Sequence, residues 1–119
     1  MVIAAGAEPA LVVVLCNAPP DKAEEIARAV LDARLAACVN IVPGVISLYW
    51  WQGAVSRDPE STLLMKTRAD LVPALTEQIR AVHPYEVPEV IALPVVDGAG
   101  NAAYRAWVVA ETEGARKPG

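Results

Sequence analysis

Phenylalanine is missing from the chain, histidine occurs once and cysteine only twice. Two cysteines are too few for the disulfide scaffold of a small secreted protein. One histidine with two cysteines also argues against a closed four-ligand zinc site within one chain. No run of about 18 apolar residues occurs, the length a membrane-spanning helix needs. There is no basic run either. Ten Lys and Arg face fourteen Asp and Glu, for a net charge of −4. Phosphate neutralisation and docking on anionic lipid both need clustered cations, so neither nucleic acid nor membrane is expected as a partner. Met1–Pro9 lacks a basic stretch, and its apolar run is too short for a signal peptide; a cytoplasmic protein is expected.

What is present is hydrophobic. The chain has 119 residues, 55% of them hydrophobic and 20% charged. That suits one folded domain and excludes a disordered chain. The domain is expected over residues 10–112. Residues 1–9 and 113–119 read as a flexible extension and a flexible tail.

Ala10–Cys16 is a short β-branched run, expected as a central strand buried on both faces. Asp21–Ala37 carries Ala23, Ile26, Ala27, Val30, Leu31 and Leu35 at helical spacing. Val39–Trp51 is a long β-prone stretch that Pro43-Gly44 should bend or bulge. Gln52–Glu60 is polar and reads as a hairpin loop, with Ser61–Arg68 the returning strand. Asp70–Val82 is a second helix with Pro73 in its first turn. His83–Pro88 is a rigid connector, Glu89–Val96 a fourth strand, and Asn101–Thr112 a short last helix. The order βαββαβ predicts an α+β, ferredoxin-like sandwich: two helices on one face of an antiparallel sheet of order 4-1-3-2, plus a short C-terminal helix.

That topology carries reactive residues to one end of the sheet. Cys16 closes the first strand, His83 follows the second helix, Glu60 opens the third strand, and Glu86 and Glu89 precede or open the fourth. Cys38 falls at the opposite end, a sheet length from Cys16, which excludes a disulfide between them. A thiol and an imidazole at one edge are a partial site for copper or another thiophilic metal.

The strings Leu35–Gly44 (LAACVNIVPG), Ser47–Gly53 (SLYWWQG), Lys66-Thr67 and His83–Glu89 (HPYEVPE) resemble the CutA divalent-cation tolerance family. The likeness runs over about residues 11–110, with the motifs in order. It implies a homotrimer built like the PII signalling proteins, with copper or another divalent cation as the bound species, no organic cofactor and no established reaction. Carried onto this sequence, the metal-associated positions are Cys16 and His83. The positions resembling an inter-subunit cleft are Trp51, Glu60, Lys66, Tyr85 and Glu89, with Glu86 beside them. Some relatives carry a second histidine before the one matching His83; here that neighbour is Val82. A trimer would also cover the long apolar edge at Val45–Trp51, which would otherwise invite aggregation.

Each residue also has a plainer reading. Cys16 is a small core hydrophobe. His83 is a helix C-terminal residue interacting with the last carbonyls. Glu86 and Glu89 are a solvated surface pair, and Lys66 is edge protection. Tyr49, Trp50 and Trp51 are interface or core residues rather than a stacking platform. No nucleophile–base–orienter set is visible, so an enzyme is not expected. Three functions remain in competition. The first is a trimeric copper-tolerance protein. The second is a PII-like sensor holding a small anionic ligand near Lys66, Glu60 and Tyr85. The third is a stable trimeric scaffold for another protein.

Overall fold

The computed structural model describes residues 8–115. The outer parts of the two expected loose segments, residues 1–7 and 116–119, lie outside the described residues. The elements are β1 (Leu11–Ala18), α1 (Ala23–Asp32), β2 (Cys38–Trp51), β3 (Ala54–Arg68), a 3-10 turn (Ala69–Leu71) leading into α2 (Val72–Val82), β4 (Ile91–Pro94) and α3 (Ala102–Glu111). The sheet order is β2-β3-β1-β4, and each neighbouring pair is antiparallel.

Period-two alternation decides what each strand buries. Val12, Val14, Cys16 and Ala18 of β1 and Leu63 and Met65 of β3 point to one face. There they pack against Ile26, Ala27 and Val30 of α1 and Leu75 and Ile79 of α2. Val13, Leu15 and Asn17 point the other way and are half-buried. The expectation that the first strand is buried on both faces is therefore corrected. α1 and α2 cover one face only, and β1 is central by pairing with both β3 and β4.

α1 is shorter than its apolar spacing predicts. Arg34 adopts φ 60°. The Leu35 amide donates to the Val30 carbonyl, and the Arg34 amide donates to Leu31. That pair of bonds is a left-handed helix stop, and it turns Leu35 back into the core.

The stretch expected as a hairpin loop is strand instead. β2 and β3 pair out to Trp51 opposite Ala54, leaving only Gln52 and Gly53 as the turn. Both have positive φ, 50° and 83°, the backbone that matches the twist of two antiparallel strands. Pro43-Gly44 does produce a register shift, between Val42 and Val45. The hairpin runs past the last β1–β3 pair, Ala18 opposite Ser61, and gives the molecule its long dimension, 56 × 30 × 23 Å. Leu48 (67% exposed), Trp50 (76%) and Val55 lie bare on this arm.

α3 is capped by Asn101, whose Oδ1 accepts from the Ala103 and Tyr104 amides. Its far end is tied to the end of α1 by an Arg34–Glu111 ion pair at 2.7 Å.

Candidate functional site

β1 ends beside the start of the β1-paired part of β3, and α2 delivers the His83–Glu89 connector to the same edge. The residue that knits this edge together is Asn17, next to last in β1 and absent from the expected site residues. Its carbonyl oxygen lies 2.8 Å from His83 Nε2. Its side-chain oxygen accepts from Thr62 Oγ1 at 2.6 Å, and its Nδ2 donates to Glu89 at 3.3 Å. The available signal was position: a polar residue directly after the cysteine at a strand end.

His83 is buried. Its Nδ1 accepts the Tyr85 amide proton at 3.1 Å. That nitrogen must carry a lone pair, so the proton sits on Nε2 and is donated to Asn17. Both ring nitrogens are thus engaged. Tyr85 stacks obliquely on the imidazole at 4.6 Å and donates its hydroxyl to Glu60 at 2.7 Å. Glu60 is itself buried. Burial first, then the Glu60 hydrogen bond and charge, push the Tyr85 phenol well above its ordinary value.

Cys16 has no exposed surface. Burial foremost, and then the charges of Glu89 and Glu60, push its thiol up to about 12. A thiolate, the metal-binding form, is therefore disfavoured at neutral pH. Among the described residues, no group of three or more His, Cys, Asp or Glu side chains is arranged to hold a metal ion.

Beside this edge, between the β2–β3 arm and the connector, lies a cleft of about 860 Å³. Trp51, Glu60, Tyr85, Glu86 and Glu89 line it, together with Asn17. Neither Cys16 nor His83 belongs to its lining. Within one chain Lys66 does not line this cleft either. It lies six positions beyond Glu60 on β3, about 20 Å along a strand. There it pairs with Cys38 and donates to Asn40 Oδ1, and its ammonium is 3.9 Å from Cys38 Sγ. It lines a separate cavity with Tyr104 and Val13.

Cys38 also departs from expectation. Cys16 sits opposite Leu63 and Cys38 opposite Lys66 on the same strand, so they are not a sheet length apart. What separates them is β3 between them and their opposite faces. Both are free thiols.

A sequence profile described as CutA1 divalent ion tolerance protein matches residues 12–111. The chain belongs to the CutA1 family. Protein CutA of Mus musculus is 54% identical over 97 residues, covering 82% of this chain and 54% of its own length. The divalent-cation tolerance protein CutA of Thermus thermophilus is 50% identical over 97 residues, covering 81% of this chain and 92% of its own length. The crystal structure of CutA1 from Oryza sativa superposes with a TM-score of 0.84 at 44% identity, over 88% of this chain and 95% of that one. The chain spans about half the length of the mouse and human relatives. The CutA1 match takes in both halves of the edge, from Asn17 to Glu89.

Proposed function

We propose that this chain is a divalent-cation tolerance protein, working as a homotrimer of ferredoxin-like subunits, whose cation is held at the edge knit together by Asn17. The observation that carries the reading is the convergence of Asn17, Glu60, His83 and Glu89 into one hydrogen-bonded set. Family membership supplies the role. The reading is of a binding protein and not an enzyme.

The sharper form makes copper the ion and Cys16 and His83 its ligands. In the closed arrangement that pair does not fit a metal, because the thiol is buried and protonated and the imidazole is fully bonded. Coordination requires the connector to swing away, freeing Nδ1 from the Tyr85 amide. The oxygen donors of exposed Glu86 and half-buried Glu89 are too few in one chain, so a second subunit completes the shell. The bare apolar arm at Leu48, Trp50 and Val55 supports assembly, since patches of this kind mark interaction surfaces. Two free thiols support a reducing compartment such as the cytoplasm. The rice relative, for its part, is named chloroplastic. A PII-like sensor for an anionic ligand is the weaker reading, because the charged side chains lining the cleft within one chain are the carboxylates Glu60, Glu86 and Glu89.

The test is a calorimetric copper titration of metal-free protein, with mass measured by light scattering on the same sample. Saturable binding in a trimer, lost in a Cys16→Ser/His83→Gln variant, supports the sharper form. Binding retained there but lost in Glu60→Gln/Glu89→Gln moves the ion to the oxygen donors. A monomer that binds no divalent ion ends the proposal.

A further inference from the structure

Away from the Asn17 edge, Cys38 and Lys66 sit directly opposite each other on β2 and β3. Strand alternation turns both to the sheet face that α1 and α2 leave uncovered. On its other side Lys66 is paired with Val13 of β1, whose side chain offers the ammonium no acceptor. The lysine leans instead to β2, where it donates to Asn40 Oδ1 and lies 3.9 Å from Cys38 Sγ. The Tyr104 hydroxyl of α3 is a second donor to that sulfur. The Cys38–Lys66 pairing is fixed by strand register within one chain, whatever covers this face in an assembly.

The two thiols of the chain differ in surroundings. Cys16 is fully buried, and its charged neighbours are carboxylates. Cys38 is half-buried, with a cation beside it. A partly exposed thiol next to a lysine is the setting in which cysteine oxidises to a sulfenic acid. The sulfenic acid is then trapped by a nucleophile standing next to it, a thiol or a nitrogen. Cys16 cannot be that nucleophile within the chain, because it points to the opposite face with β3 between the two sulfurs. What stands beside Cys38 is the Lys66 amine.

We propose that Cys38 and Lys66 form a reversible sulfenamide cross-link on oxidation by hydrogen peroxide. In the first step an S–O bond forms, the O–O bond breaks and water leaves. The sulfur gives up two electrons and the peroxide takes them. In the second step the unprotonated Nζ attacks the sulfur. An S–N bond forms, the S–O bond breaks, and the hydroxyl leaves as water with a proton from the amine. The net loss from the chain is two hydrogen atoms. Two equivalents of a small thiol reverse the bond, yielding that thiol's disulfide and restoring the Cys38 thiol and the Lys66 amine. The closed bond ties the start of β2 to β3 and removes one positive charge beside α3. The proposal goes beyond divalent-cation tolerance and does not depend on it.

The experiment treats the full-length protein with hydrogen peroxide in mildly alkaline buffer containing a chelator. Intact mass and tryptic peptides are then read without reductant. The expected product is a chain lighter by two hydrogens, with peptide 35–57 joined to 58–68 and no cleavage after Lys66. Dithiothreitol should restore the starting mass and the cleavage. Lys66→Gln keeps a polar side chain but no nucleophile, so Cys38 should instead gain oxygen. Cys38→Ser should leave Lys66 cleaved as before. Circular dichroism verifies that both variants fold, and the peptide map of the parent decides the matter even where one does not. Oxygen added to Cys38 with Lys66 still cleaved in the parent overturns the proposal. So does a Cys38 left unmodified while a free cysteine peptide in the same solution is consumed, which would place it behind a subunit contact. A disulfide between the Cys38 thiols of two copies overturns it as well. The chelator keeps these outcomes independent of any bound cation, so failure of the tolerance reading leaves them unchanged.

Discussion

His83 donates its Nε2 proton to the carbonyl oxygen of Asn17 at 2.8 Å, while its Nδ1 accepts from the Tyr85 amide at 3.1 Å. The ring is therefore a clamp between the end of β1 and the connector after α2. Removing it leaves the part-buried Asn17 carbonyl with only the weak Cys16 thiol contact at 3.8 Å and takes the acceptor from the Tyr85 amide. A buried polar group left unsatisfied costs about 1–3 kcal/mol. His83→Ala is expected to lower stability by about that amount in metal-free protein, read from the urea midpoint. An unchanged midpoint would mean that the edge is not held through this ring.

Cys16 sets an alkaline limit. Its thiol is raised from 9.0 to about 12 in the folded chain, chiefly by burial. Below pH 9 both folded and unfolded states keep the proton, and the contribution is fully present. Above that, the unfolded thiol ionises first and binds fewer protons than the folded one. Stability then falls by about 1.4 kcal/mol per pH unit toward the folded value. Cys16→Ala should make the decline between pH 9 and 12 shallower in denaturant melts. The same burial should leave Cys16 unreactive to alkylating reagents in the native state and reactive once unfolded.

Much of this architecture was legible because its signals are local. The spacing of Ile26, Val30 and Leu35, the β-branched run at Val12–Val14 and the Pro43-Gly44 break each act within a few residues. The errors came from context. Asp58 and Pro59 read as loop, yet Pro59 sits in β3 opposite Ile46. It is tolerated because β3 has lost β1 by that point, leaving one side as an edge where a missing N–H costs nothing. Asn17 was missed because its importance lies in three partners far away in sequence, Thr62, His83 and Glu89. The convergence of Cys16, His83, Glu60 and Glu89 followed from topology. That Asn17 and Tyr85 would take up their polar atoms, rather than leave them open, did not.

The hairpin turn offers a stabilising change. Gln52 holds φ 50°, a left-handed conformation that a side chain of its type rarely adopts, next to Gly53 at 83°. Asparagine tolerates this backbone better, and Asn-Gly is the favoured pair for a two-residue turn. Gln52→Asn is expected to raise stability by a few tenths to about 1 kcal/mol. Gly53→Val should lower it, because a β-branched residue at that φ is strained although the space is open. Thermal melts of the two variants should move in opposite directions.

The tyrosines make the carboxylate-rich edge visible to spectroscopy. The chain has three, and all are raised above the ordinary value of 10.0. Tyr49 is held up first by its hydrogen bond to Asp58, Tyr85 first by burial and then by Glu60, and Tyr104 first by burial and then by Cys38. In each case the folded state keeps its proton longer than the unfolded chain. Phenol ionisation therefore adds to the alkaline loss of stability and none of it to loss in acid. Followed at 295 nm, the native protein should show little ionisation at pH 10, with the full change appearing on unfolding. Tyr85→Phe should remove the component that lags most and leave Glu60 buried without its phenol donor. An ordinary tyrosine titration in the native protein would mean that the Tyr85–Glu60 and Tyr49–Asp58 bonds do not persist in solution. The edge built around them would then lose its geometry.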